Sequence, residues 1–193
     1  MSMKKRDKIT YNVVVIGLMA AVCFATTFFF NIKIPTPAGA TMLKIGNIFC
    51  LMAGMLFGGW RGGLAAGIGS FIFDLTDPMF VATSPFTLVF FFIMAFVCGA
   101  VSHMGGRCGK SVVFNAVGAT LGAAAYFVLN IGRSVVELVL AGSNVGAAIV
   151  SCSTRMVTSG INAVIAIIAA TAIAPVIRLA LSKLGVFEKM GIK

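Results

Sequence analysis

Two groups of residues in this chain have the types and spacing that recognition chemistry needs. Tyr126, Asn130, Arg133 and Glu137 follow one another at intervals of 4, 3 and 4, which puts them on one face of an α-helix. Further along, Arg155, Ser159 and Asn162 share a face by the same rule. Guanidinium groups above side-chain amides suit a carboxylate or a phosphate. Tyr126 and the adjacent Phe127 would instead stack on a flat ring. Bond-breaking chemistry has no such support. His103 is the single histidine, and there is no serine–histidine pair, carboxylate pair or metal-ligand cluster, so neither a catalytic site, a metal nor a cofactor is expected. Five cysteines, Cys23, Cys50, Cys98, Cys108 and Cys152, form no C-x-x-C pair and read as small apolar fillers.

The elements that must hold these residues belong in a bilayer. The 193 residues are 60% hydrophobic and only 10% charged, with a mean hydropathy of +1.06, whereas about a quarter of a soluble domain is charged. At roughly 20 residues per crossing the chain has room for about six helices with short connections and no appended soluble domain. The apolar runs lie at 11–30, 41–58, 61–75, 85–104, 111–131 and 145–173, predicting an all-α membrane protein of six spans in a single domain. The basic segment from Met1 to Lys8 resembles the start of a signal peptide, but the run after it is long enough to span and no small-residue cleavage site closes it. It is therefore read as the first membrane helix. Glycines from Gly58 to Gly63 suit a tight turn, making the second and third runs a helical hairpin. Pro78 and Pro85 bracket the next turn, Gly105 to Lys110 form another, and Ala141-Gly142-Ser143 separate the last two spans. Pro175 is expected to end the sixth span, leaving a basic tail along the membrane surface.

The net charge of +10 raises the question of nucleic acid, but in a membrane chain lysine and arginine first report orientation. With six spans, Lys4, Lys5, Arg6, Lys8, Arg61, Arg107, Lys110, Arg178, Lys183, Lys189 and Lys193 fall on one side, which is 11 of the 15 basic residues. That side is the cytoplasm by the positive-inside rule, so both termini are cytoplasmic and no nucleic-acid partner is expected. Lys33, Lys44, Arg133 and Arg155 remain for the outer half, with Asp74 and Asp77. A rise of about 1.5 Å per residue puts Arg133 roughly 33 Å along the fifth span and Arg155 roughly 27 Å back from the end of the sixth. Asn31 reaches a similar level, roughly 30 Å from Tyr11. These positions converge on one polar pocket open to the outside. The segment from Asn31 to Thr41 is too long and proline-rich for a simple turn and could cap it. The competing reading pairs Arg133 with Glu137 one turn away and lets Arg155 reach the headgroups.

Small residues recur four apart at Gly54 and Gly58, Gly59 and Gly63, Gly63 and Gly67, and Gly118 and Gly122, where close helix packing within the chain is expected. Gly17, Ala21 and Ala25 make a similar stripe on the first helix, open to either packing or docking.

The order of these features resembles the substrate-binding S components of energy-coupling factor (ECF) transporters, which import vitamins into bacteria and archaea. The resemblance is carried by Ala21-Val22-Cys23-Phe24-Ala25, similar to the family's alanine-x-x-x-alanine contact motif, and by the proline-containing outer loop that follows. After these come Leu43-Lys44-Ile45-Gly46-Asn47 and a glycine-rich hairpin ending Phe73-Asp74-Leu75. It covers nearly the whole chain. It implies a multi-pass plasma-membrane protein whose Gly17, Ala21 and Ala25 stripe docks on a transmembrane T component bearing two ATPase subunits. It also implies a vitamin site in the outer half, matching the pocket of Asn31, Lys44, Tyr126, Asn130, Arg133, Arg155 and Asn162. The family's nickel and cobalt members use an N-terminal histidine, and this chain begins Met1-Ser2-Met3, which disfavours a metal substrate.

Other classes compete. A self-sufficient carrier or small multidrug exporter would need an ionisable group in mid-membrane, where none of the five acids clearly lies. A membrane enzyme lacks its reactive groups. Two arginines and Lys44 favour a pantothenate-like anion, while the aromatic residues favour a ring such as riboflavin, and the sequence leaves both open.

Overall fold

A computed structural model of the chain describes residues 5–36 and 39–192. The helices are α1 (Lys5–Phe29), α2 (Gly46–Phe57), α3 (Gly59–Thr76), α4 (Ser84–Ser102), α5 (Val112–Leu140), α6 (Val145–Ser151), α7 (Ser153–Lys183) and α8 (Val186–Met190). Between α1 and α2 lie two strands, β1 (Asn31–Thr36) and β2 (Gly39–Lys44). Lys4 and Lys193 of the orientation argument, and Pro37 and Ala38 of the outer segment, fall outside the described residues.

The chain is a helical membrane protein. Within α1, α4, α5 and α7 lie stretches long and apolar enough to cross a bilayer. The expected second and third spans are α2, of 12 residues, and α3, of 18. Helix α2 is only about 18 Å long, and its position accounts for this. All its residues except Phe49 are buried, because α1, α3, α4 and α7 enclose it. A central helix faces protein rather than lipid, so its length need not match the hydrocarbon.

Glycine makes that enclosure possible. A Cβ on Gly54 would lie 2.4 Å from the Ala95 carbonyl oxygen, one on Gly62 2.5 Å from that of Ala53, and one on Gly122 2.4 Å from that of Met94. Backbones therefore meet directly in the core, with dispersion contacts that no larger residue would permit. Between α2 and α3 the chain reverses at one residue, Gly58, whose φ of +85° suits glycine alone.

Four expectations need correction. The second span does not begin at residue 41: residues 39–44 are β2, paired antiparallel with β1 from Asn31↔Lys44 to Thr36↔Gly39. Period-two alternation in Asn31-Ile32-Lys33-Ile34 is the strand signal that the prolines obscured. The fifth helix runs on to Leu140 rather than 131, since Arg133 and Glu137 sit on an apolar helix without breaking its backbone. The last run is divided at Cys152 into α6 and α7. Pro175 does not end the last span, because α7 continues through it to Lys183. A proline is tolerated where tertiary packing holds both flanks, and Ala174 is buried here. The basic tail begins at Leu184, beyond α7. It folds into α8, which buries Phe187 and Met190 against the bundle, and the Met190 carbonyl accepts from Arg61 Nη2 at 3.1 Å.

Candidate functional site

At the hairpin end of the bundle, β2, α3, α4, α5 and α7 surround a cavity of about 170 Å³, open on one side. Helix α5 contributes Tyr126, Asn130, Arg133 and Glu137, and α7 contributes Arg155, Ser159 and Asn162. Both helical faces read from the sequence therefore point into one space. Thr41, Met42 and Lys44 enter from β2, Asp74 from α3, and Thr87 and Phe90 from α4.

Each charged group is held in place. Arg133 donates from Nε to Glu137 Oε1 at 2.8 Å, and its guanidinium lies 4.6 Å from the centre of the Phe86 ring. Arg155 donates from Nη1 to Ser134 Oγ at 2.6 Å, and Ser134 Oγ donates in turn to the Asn130 carbonyl at 3.0 Å. This chain ties α7 to α5 just where the cavity lies. Asn130 Nδ2 adds a bond to Ser159 Oγ at 3.3 Å. Lys44 Nζ sits 4.3 Å from the centre of the Phe91 ring, and Phe91 packs on Tyr126 with ring centres 4.7 Å apart. Burial lowers the Lys44 ammonium below its ordinary pKa, with Asp74 opposing the shift. The cavity thus carries three cations and two carboxylates, with the rings of Tyr126, Phe80 and Phe90 in its wall and Phe91 packed behind Tyr126.

The hairpin covers this space and is fastened to it. Asn162 Nδ2 donates to the Met42 carbonyl at 2.7 Å, and Asn162 Oδ1 accepts from the Lys44 amide at 3.0 Å. One side chain of α7 therefore acts as an additional rung on the edge of β2. A second fastening is the ion pair of Lys33 Nζ with Asp77 Oδ2, 2.6 Å, between β1 and the turn after α3. Asp77 is buried and also accepts from the Met79 amide at 3.2 Å.

A strand fastened beside a charged cavity with aromatic residues in its wall suits the binding of a small molecule. A family model described as "ECF-type riboflavin transporter, S component" matches residues 8–179, which include all the residues that line the cavity. The chain belongs to that family. No curated protein and no solved structure matches it.

As an S component the chain is the substrate-binding subunit of an ECF transporter, and this is not an enzyme family. Of the seven expected site residues, the structure brings six to the cavity: Lys44, Tyr126, Asn130, Arg133, Arg155 and Asn162. Asn31 is the exception. Its side chain donates back to the Thr27 and Phe28 carbonyls at 2.8 and 3.0 Å, closing the last turn of α1. Phe127 is not among the lining residues either. The Arg133–Glu137 pair forms as the competing reading expected, and it forms at the cavity wall. Sequence reasoning missed Thr87 and Phe90, which carry no signal separable from an apolar helix. It put Asp74 in the outer half without naming it for the site, although an acid inside an apolar run was the available sign that the α3 terminus faces a cavity.

The stripe on α1 has a different setting. Gly17 and Ala21 are exposed and Ala25 is half-buried, and a Cβ at Gly17 would meet nothing within 4 Å. Gly54, Gly59, Gly62, Gly63 and Gly67 are instead in close contact with neighbouring helices.

Proposed function

We propose that this S component binds riboflavin in the cavity beneath the β1–β2 hairpin. The observation that carries the reading is the aromatic surface of Tyr126, Phe80 and Phe90 beside the amides and cations of α5 and α7, in a chain of this family. A flavin offers a flat ring for the aromatic surface, carbonyl oxygens for cationic and amide donors, and a hydroxylated chain for the polar wall. The cavity of about 170 Å³ is smaller than the roughly 300 Å³ at which small-molecule sites begin. The hairpin therefore opens to admit ligand and recloses over it.

The cavity faces the cell exterior and both termini lie in the cytoplasm of a bacterial or archaeal cell, as the distribution of lysine and arginine favours. The exposed face at Gly17, Ala21 and Ala25 docks on a transmembrane T component that carries two ATPase subunits. A self-sufficient carrier would not need these partners. Uptake of labelled riboflavin into vesicles separates the two: the S component account requires the T component, both ATPases and ATP, and uptake by this chain alone contradicts it.

The three cations support a second reading, a small carboxylate of the pantothenate type. Competition decides between them. Excess unlabelled riboflavin should abolish the uptake signal and pantothenate should leave it unchanged.

A further inference from the structure

At the end of the bundle opposite the hairpin, a second cavity of about 430 Å³ opens among the starts of α1 and α5, the end of α7, and α8. Its walls carry three cations, Lys8, Lys110 and Arg178, against one acid, Glu188. Among the described residues none of the three cations has an ion-pair partner. Lys8, Lys110 and Glu188 are exposed, so they can move to suit a ligand.

Arg178 is different. Its guanidinium is stacked over the Phe187 ring, 4.4 Å from the centre, and its Nη1 is buried with no hydrogen-bond partner among the described residues. A buried cationic N–H without an acceptor is costly. Stacking fixes the plane of the fork and leaves its donors for an oxyanion, which guanidinium suits geometrically. More positive charge stands close by: Arg61 reaches the Met190 carbonyl, and Lys189 lies 5.9 Å from the centre of the Tyr11 ring.

The surroundings say where the anion comes from. Ile9, next in sequence to Lys8, and Leu184, next in sequence to Gly185 of the cavity wall, are exposed large apolar side chains. Cations adjoining exposed apolar surface at the end of membrane helices fit a molecule with a phosphate head and acyl tails. We propose that this cavity binds the phosphate of an anionic phospholipid headgroup, with Arg178 as its central donor and Lys8 and Lys110 at the rim. The proposal does not depend on which vitamin the other cavity takes.

Native mass spectrometry of the full chain in neutral detergent tests it, with dioleoyl phosphatidylglycerol or dioleoyl phosphatidylcholine added in equal amounts. Phosphatidylglycerol should be retained in preference. The double variant Lys8→Gln, Lys110→Gln changes only exposed residues and should elute as one species with unchanged Tm without added lipid. It should retain roughly 30-fold less phosphatidylglycerol, and Arg178→Gln should lose the preference. Equal retention of the two lipids, or a preference that survives in the double variant, overturns the site. Inorganic phosphate is the second arm. If it raises Tm as much as phosphatidylglycerol does, and the rise disappears in the double variant, the occupant is a free phosphate and the lipid assignment is overturned.

Discussion

Asn162 on α7 reaches across 120 positions of sequence to the backbone of Met42, donating at 2.7 Å while accepting from the Lys44 amide at 3.0 Å. A helix side chain that pairs with the edge of a strand as another strand would is a reversible fastening. Its two bonds set how firmly the hairpin covers the cavity.

Asn162→Ala should therefore loosen the lid. Each buried hydrogen bond contributes about 1 kcal/mol net, so the loss of two corresponds to roughly 30-fold more frequent opening. Hydrogen exchange in residues 31–44 should accelerate by about that factor. Lys33→Gln should also accelerate exchange, because it leaves the buried Asp77 carboxylate without its cation. Equal exchange rates in wild type and Asn162→Ala would show that other contacts hold the hairpin.

Arg133→Gln and Arg155→Gln should each weaken ligand binding by about 10-fold to 150-fold, the equivalent of one charge-assisted hydrogen bond of roughly 1.5 to 3 kcal/mol. The two variants should differ in stability. Arg155 ties α7 to Ser134 of α5, so its loss should lower Tm, whereas Arg133 pairs within its own helix. Normal affinity in both variants would place the ligand elsewhere.

The α1 stripe and the core glycines should separate cleanly. Ala21→Leu with Ala25→Leu should abolish ATP-driven uptake while ligand affinity of the isolated protein stays within a few-fold, since this face makes little contact within the chain. Gly62→Ala should instead destabilise the fold, because the new methyl would lie 2.5 Å from the Ala53 carbonyl oxygen. A large loss of affinity in the α1 double variant would contradict a docking role.

His103, just past the C-terminal end of α4, donates from Nε2 to the Met55 carbonyl at 2.9 Å. Burial lowers its imidazole pKa, the bond to Met55 opposes the shift, and Arg178 and Arg61 reinforce it. The unfolded chain then binds a proton that the folded one resists, so stability should fall as pH drops below about 6.5. Thermal melts should show this slope in the wild type and a flatter one in His103→Gln. Identical slopes would exclude His103 as the cause.

The two polar faces were legible because helical spacing alone aligns Tyr126 with Arg133 and Arg155 with Asn162, and estimated rise set both arginines at one level. The hairpin was not. Its prolines suggested an irregular loop, although Ile32 and Ile34 alternate with polar residues as a strand requires. Asn31 shows the limit of depth as evidence, because level does not fix direction: its amide turns back to finish α1. Pro175 shows tertiary packing overriding a local breaker. The burial of α2 by its neighbours is a property of the assembled bundle.

The cavity under the hairpin is proposed to be a flavin site. Titration of the purified chain into riboflavin, followed by flavin fluorescence, tests it most directly. Quenching should saturate at one riboflavin per chain, and Arg133→Gln and Arg155→Gln should move the midpoint to higher concentration by the factors given above. Fluorescence that stays unquenched at saturating protein, or quenching that both variants leave unchanged, would contradict it.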